Sequence, residues 1–539
     1  MKHLFTLFAF SIFIQNVHAQ MSVPQCTVLS IDHFGGNLIE TIGYGGIISN
    51  PNGSFSIPIG TNSDSSSGDF LTACTQAVGG GGVFRTYDAD YTSLISQSCA
   101  PVGTHFAGPT FYVFPQSNGD TILIGQSDLN YGDFGIECRD ASGIVLWTKH
   151  YGGSGDERFV YAVPAKDGGF FLLGESHSDD GDVGLHYGSY FIADIWVLKV
   201  DNDGNKVWSK VIGGTLEEIA SMCVAADDGG LYVFGSTSSD DHDAADMQGG
   251  ADLYIVKLDS AGAISWHKCL GGSGTDAASY DRNVRAIKDG NHGFYVLSFT
   301  ESTDGDVQQR MPDGADLWLL HIDSLGNILW ENTYGGPGSQ YPFSLCRATD
   351  GSLWMGGYFL GNTVPGGEID ATYGGNDGWV VHADSMGNFI NQVVLGADKA
   401  EYVDALHPLP DGTVLACGRY EQYGTPGSGS FEFPSENQGF IDIFLARLGP
   451  QTEGINERTI LPDTWELFPN PGHQAVTVRV KNKDDKYQVH ITDASGKKIY
   501  RHRFRRQLTI NTTGWGPGIY IVQLIDRSGK TGTQKLIIK

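Results

Sequence analysis

The sequence predicts an all-β protein: a seven-bladed β-propeller closed by an N-terminal strand, followed by a small Ig-like β-sandwich. Three observations predict it. A unit of about 62 residues repeats through the body of the chain, and each unit reads as four short strands. The two ends of the array carry complementary fragments of one unit, as a closed ring requires.

The repeat shows in the stretches ADIWVLKVDNDGNKVWSKVIGG, ADLYIVKLDSAGAISWHKCLGG and ADLWLLHIDSLGNILWENTYGG. An aspartate opening one strand of each unit recurs at Asp69, Asp133, Asp194, Asp252, Asp316, Asp377 and Asp442. A second marker, of the type GGFFLLG or GGLYVFG, also occurs once per unit. One unit reads as the strands RFVYAVPAK, GFFLLGES, DIWVLKVD and NKVWSKVIG. Gly-rich turns join the first pair and the second pair, because glycine accepts the positive φ that tight hairpins need. A longer loop joins strands two and three.

At the array's end the last unit stops after its third strand, DIFLARLGP, and the stretch LSIDHFGGNLIETIGYGG near the start matches HIDSLGNILWENTYGG. An N-terminal strand completing the final blade accounts for both fragments and removes two sheet edges open to aggregation. The propeller is expected over residues 20–449.

Ahead of it, Lys2 and His3 precede the apolar run LFTLFAFSIFI, and Val17 and Ala19 supply the small-residue pattern of a cleavage site. Residues 1–19 read as a signal peptide. The run is too short to span a bilayer, and no other stretch reaches about twenty apolar residues. Export permits disulfides, yet the eight cysteines (Cys26, Cys74, Cys99, Cys138, Cys223, Cys269, Cys346 and Cys417) form no C-x-x-C pair. Most sit in apolar strand patterns, which favours buried free thiols over bridges.

Charge divides the chain. The net charge is -28, but from Thr452 onward fifteen Lys and Arg face eight Asp and Glu, leaving +7 there and -35 before it. An acidic body repels nucleic acid and anionic membranes. Residues 450–460 read as a linker and 461–539 as a separate domain of alternating strands such as AVTVRV, YQVHITD and IYIVQLID, about seven in all.

This last domain resembles the C-terminal sorting domain of the type IX secretion system of Bacteroidetes. The resemblance rests on LFPNP (Pro469, Asn470, Pro471), ITDASGKKI (Gly496, Lys497), GIYIV (Gly518, Tyr520) and KLIIK (Lys535), in order and spacing over eighty residues. It implies recognition by the type IX machinery and its sortase, translocation across the outer membrane, and a protein that is secreted or held at the cell surface.

Three features of the body bear on chemistry. Trp147, Trp208, Trp266 and Trp330 end the pattern D-x-x-G-x-x-x-W, which resembles the tryptophan-docking repeats of quinoprotein propellers. That implies structural packing, in keeping with the apolar area of an indole. The loops between strands two and three are acidic, with Asp179, Asp180, Asp182, Asp240, Asp241, Asp243, Asp304 and Asp306. Asx turns in solvated loops are the favoured reading; calcium held by these hard oxygens is the alternative. The acid after each double glycine, Glu157, Glu218, Asp276 and Glu401, recurs too regularly for a catalytic group and points to a repeated turn bond.

No pattern for a metalloprotease, a serine hydrolase, a dinucleotide fold or a phosphate loop is present in the sequence. The expected function is therefore non-catalytic: binding or adhesion at an extracellular glycan or protein, through loops gathered on one face. A polysaccharide hydrolase or lyase, and a purely structural surface protein, are the alternatives. The loops ATYGGNDGW and EQYGTPGSGSFEF, with Tyr373, Tyr423 and Phe431, are the irregular places to look.

Overall fold

The computed structural model describes residues 26–34, 40–42, 48–49, 55–61, 81–89, 91, 94–99, 106–127, 132–277, 283–308, 310, 314–360, 365–397, 399–421, 441–450, 465–470, 472, 474–480, 487–493, 498–525 and 531–539. The chain forms two compact units, dividing after Pro450. The signal-peptide reading and residues 451–464 lie outside the described residues.

The first unit is all-β apart from one 3-10 turn at His242–Ala244 among the described residues. Among the described residues its strands form seven antiparallel sheets, six of four strands and one of five. In the clearest one, Glu157–Pro164, Phe170–Ser176, Asp194–Val200 and Lys206–Ile212 pair in chain order. These match the four strands read from the sequence. The reason is patterning: every residue of Phe170–Ser176 and Asp194–Val200 is buried, while the fourth strand begins exposed. A strand covered on both faces reads as a continuous apolar run, and one covered on a single face alternates.

Each sheet packs on the next. Phe171, Leu173, Val197 and Ile195 of this sheet share a core with Val233, Tyr254 and Val256 of the following one. Phe134, Ile136 and Ile124 of the preceding sheet meet Trp196 and Leu198 on its other side. The array also closes on itself. Phe55, Ile57 and Tyr87 of the first sheet share a core with Leu409, Leu415, Ile443 and Leu445 of the last.

Two details differ from the sequence reading. The strand completing the last sheet is Cys26–Phe34, antiparallel to Ile441–Pro450. The downstream segment that resembled a fourth strand contributes Glu40–Ile42 to the first sheet instead. Hence Pro450, read as linker, is the paired end of a strand, opposite Cys26. In the first sheet, Asp69 was expected to open the third strand. It lies outside the described residues, and the strand pairing with Phe55–Thr61 is Gly81–Tyr87, beginning twelve residues further on. The insertion hides the repeat there, because period counting assumes equal loops.

Cys138, Cys223, Cys269, Cys346 and Cys417 are free and buried. Burial pushes the Cys269 thiol up to about 12, so it stays protonated and unreactive.

The second unit contains a three-stranded sheet (Trp465–Phe468, Ala475–Val480, Gln507–Asn511) and a four-stranded one (Lys498–Phe504, Tyr487–Asp493, Gly518–Ile525, Thr531–Ile538). Val476, Val478, Val489, Ile491, Val522 and Leu536 fill the core between them.

Candidate binding face

In every sheet the loop from strand two to strand three and the turn from strand four into the next sheet emerge at the same end, because successive strands are antiparallel. A repeated polar module sits at these turns. The aspartate that opens strand three and the acid or amide that opens the next sheet are always 24 residues apart: Asp133 and Glu157, Asp194 and Glu218, Asp252 and Asp276, Asp316 and Gln340, Asp377 and Glu401. All ten residues are buried.

Each half of the module has its own task. Asp194 Oδ2 accepts from the Tyr187 N–H at 2.6 Å, Asp252 Oδ2 from Gln248 at 2.6 Å and Asp377 Oδ2 from Tyr373 at 2.9 Å, pinning the loop that precedes strand three. Glu218 accepts from the Gly214 N–H at 2.8 Å and the Thr237 hydroxyl at 2.6 Å, and so ties the double-glycine turn to strand two. Glu157 does the same with Gly153, Ser176 and Ser178. The sequence showed both acids but not their pairing.

Glycine is required where the two meet. A Cβ on Gly213 would fall 2.2 Å from Asp194 Oδ1 and 2.7 Å from Glu218 Oε2. The same holds for Gly152, Gly271 and Gly335, with approaches of 2.0–2.6 Å to the first acid. The first glycine of each pair is thus the floor on which two carboxyl groups, or at Gly335 a carboxyl and the Gln340 amide, converge.

That convergence has an electrostatic consequence. Burial, helped by Glu218, raises the Asp194 carboxyl to about 8, against the pull of the Tyr187 N–H; burial raises the Glu218 carboxyl as well. Burial likewise raises Asp252 to about 7 and Asp377 to about 6. Two neighbouring carboxylates in a dry joint disfavour each other's ionisation, so the Asp194–Glu218 pair retains a proton near neutrality. At the Asp316 joint the second acid is replaced by Gln340, an amide that needs no such proton.

The acidic loops sit at the same end. Asp180, Asp241 and Asp304 each accept a backbone N–H across the turn, from Ser154, Thr215 and Ser273 at 2.7–2.8 Å. Asp182 pairs with Lys206 at 2.5 Å and Asp243 with Lys210 at 3.0 Å. Asp240 accepts from the Asp246 N–H, and Asp306 from Gln248 and the Gly271 N–H. Asp179 is exposed. Among the described residues no group of three His, Cys, Asp or Glu is placed to hold a metal ion.

The four tryptophans lie at the opposite end, each over the turn glycine of the following sheet: Trp147 on Gly204, Trp208 on Gly262, Trp266 on Gly326 and Trp330 on Gly387. A Cβ there would fall 2.5–2.9 Å from the indole, and each glycine also has φ between +73° and +84°.

Two features at the acidic end depart from the repeat. On the loop before Asp194, Tyr190 and Phe191 project together, the Phe191 ring 87% exposed, with the rings edge to face at 5.6 Å. Between the last two sheets, a cavity of about 250 Å³ is lined by Phe343, Tyr358, Tyr402, Arg419, Glu421 and Ile441. The Tyr358 and Tyr402 rings meet edge to face at 4.9 Å. The Arg419 guanidinium lies 4.9 Å over Tyr402 and donates to Asp404 at 2.9 Å. Asn376 donates to the Tyr402 hydroxyl at 3.0 Å. Of the six lining residues the sequence reading touched only Glu421, which opens the EQYGTPGSGSFEF stretch; the other five replace repeat positions without forming a motif. Tyr373 is half-buried against the neighbouring core, while Tyr423 and Phe431 lie outside the described residues.

In the second unit, Tyr520 donates to the Gly516 carbonyl at 2.8 Å and packs on Trp515. Gly518 opens the strand that carries it, and Lys535 is exposed on the last strand. Pro469 and Asn470 follow the first strand; Pro471, Gly496 and Lys497 lie outside the described residues.

Residues 466–539 match a family model described as the secretion system C-terminal sorting domain. The second unit is a type IX sorting domain. Such a domain directs the protein to secretion or to attachment at the cell surface and engages the type IX machinery. Among the described residues no helix is long and apolar enough to cross a membrane.

A curated relative, the endo-acting ulvan lyase of Formosa agariphila, is 30% identical over 87 residues, which is 16% of this chain and 17% of the lyase. The chain therefore spans about a sixth of that relative's length. Among solved structures, the Neurospora crassa Pan2 WD40 domain has a TM-score of 0.38 at 10% identity, over 80% of this chain and 98% of that one. The β-propeller domain of the Pyrococcus furiosus Trilobed protease has 0.31 at 10%, over 75% and 99%. The extracellular domain of a one-component system from B. thetaiotaomicron has 0.38 at 10%, over 95% and 58%. Similarities this low leave ligand and partner to the chain's own chemistry.

Proposed function

We propose that this protein is a type IX-exported, seven-bladed β-propeller whose ring closes through Cys26–Phe34, and that it binds a glycan in the cleft between its last two blades. The closed packing of the first sheet on the last supports the ring. The observation that carries the binding reading is the cleft itself. Aromatic faces suit the apolar C–H faces of a sugar, while Arg419, Glu421 and the Tyr402 hydroxyl offer donors and acceptors for its hydroxyls. At about 250 Å³ the cleft is smaller than most ligand cavities, which run roughly 300–1,000 Å³. It suits one ring or a chain end. The sortase is expected to remove the sorting domain after export.

The test is a glycan array probed with the purified full-length protein, alongside Tyr402→Ala and Arg419→Ala. Binding to a related set of glycans, lost by about tenfold or more in both variants, is the expected result. A folded protein that binds none of them, or variants that bind as well as wild type, would refute the cleft. Release of unsaturated sugar ends from a bound polysaccharide would move the assignment to a lyase, the activity named for the curated relative.

A further inference from the structure

The sorting domain carries a contact that its family assignment does not explain. Its last strand, Thr531–Ile538, pairs along one edge with Gly518–Ile525. The other edge of such a strand presents alternate N–H and C=O groups to solvent or to another strand. Here the PNPG segment takes them. Asn470 Nδ2 donates to the Lys535 carbonyl at 2.5 Å, and the Ile537 N–H donates to Asn470 Oδ1 at 2.9 Å. The Gly472 N–H donates to the Ile537 carbonyl at 2.7 Å, and the Lys539 N–H donates to the Gly472 carbonyl at 3.2 Å.

Four bonds therefore cap the outward groups of residues 535, 537 and 539. The asparagine amide serves because it offers one donor and one acceptor side by side, as a neighbouring strand would. Glycine serves at 472 because the backbone comes close: a Cβ there would fall 2.5 Å from Val476 Cγ1 and 3.2 Å from Ile538 Cδ1. The strand so held carries Leu536 and Ile538 into the core. Asn470 itself is exposed.

We infer that Asn470 and Gly472 form a clasp on the C-terminal strand, and that Asn470 supports sorting by holding that strand closed rather than by being read by the secretion machinery. Asn470 is a positioning residue in this account. Lys535 enters through its backbone carbonyl alone, so its side chain is dispensable to the clasp.

The experiment uses the full chain in a type IX-competent host, comparing wild type with Asn470→Ala, Asn470→Asp and Lys535→Ala. Export is scored together with amide exchange of the purified proteins. In Asn470→Ala the Ile537 and Lys539 amides should exchange about tenfold faster, while Val489 and Val522 stay protected and report an intact sandwich. Export should fall in parallel. Asn470→Asp keeps the acceptor and loses the donor, so it should fall between the two. Lys535→Ala should leave the clasp amides protected as in wild type, since only its backbone carbonyl enters the clasp. Lost export in Asn470→Ala or Asn470→Asp with unchanged Ile537 exchange would overturn the inference, since the asparagine would then be read directly. Normal export with an opened strand would overturn it equally. If Asn470→Ala loses the Val489 and Val522 protection too, Asn470→Asp decides by the same two readouts.

Discussion

The two units meet the same physical problem, an open sheet edge, at different scales. The propeller-like unit resolves it globally. Its first described strand, Cys26–Phe34, crosses the full length of the array to pair with Ile441–Pro450. The sorting domain resolves it locally, with Asn470 and Gly472 bonded along the final strand. Closing the first edge needs every intervening sheet in place, because the loop it closes is the whole repeat array. Closing the second needs only one sandwich. The difference leads to the expectation that the body depends on its closing strand for cooperative folding, whereas the sorting domain does not.

Removing the closing strand is the strongest way to test that comparison. Deleting Cys26–Phe34 exposes the Ile441–Pro450 edge and uncovers its ladder. Calorimetry should show the body's transition lost or broadened, with the protein prone to aggregate, while sorting-domain amides such as Val522 keep their protection. Equal loss in both units would show that they do not fold separately.

A smaller effect is expected at a joint. Gly213→Ala places a methyl group 2.2 Å from Asp194 Oδ1 in a buried turn. It should cost about 2–4 kcal/mol in chemical denaturation. Gly516→Ala in the sorting domain, where a Cβ meets nothing within 4 Å, should be near neutral. Comparable losses at the two sites would remove the steric reason given for the double glycine.

The finest effect concerns the shared proton. An unfolded Asp titrates near 3.9, whereas burial and Glu218 lift the folded Asp194 to about 8. The folded state thus binds the extra proton more tightly than the unfolded state between those values. Stability contributed by this group is full below about pH 4, falls as pH rises through that window, and levels off above pH 8. Asp194→Asn keeps an acceptor for the Tyr187 N–H and can donate to Glu218. It should flatten the pH dependence of unfolding between pH 4 and 8 and gain on the order of 1–3 kcal/mol at pH 8. An unchanged slope would mean that the pair holds no shared proton. The same measurement with Gln340→Glu, which adds the missing acid beside Asp316, should steepen the slope.

Legibility in the sequence followed the length of the interaction. The four strands of a unit could be read because burial on two faces, or on one, writes itself as a continuous or an alternating apolar pattern, as in DIWVLKV against KVWSKVI. The first sheet was misread because its third strand is displaced beyond Asp69, and counting a period cannot see an insertion. Each acid of the joint was visible as a recurring residue, but Asp194 and Glu218 belong to different sheets, and their meeting depends on how one sheet turns into the next. The cleft was least visible of all. Phe343, Tyr358, Tyr402 and Arg419 come from four strands of two sheets, with no spacing that a motif could record.

By itself the sequence determined what is set by near neighbours: the strand periodicity, the glycines of the turns, the charge contrast between body and tail, and the sorting signature. Tertiary structure alone decided which strand closes the array, which carboxyls share a joint and which aromatics line the cleft. The reason is that side-chain pattern encodes which faces are buried, whereas the identity of the partner on each face is fixed only when the sheets pack.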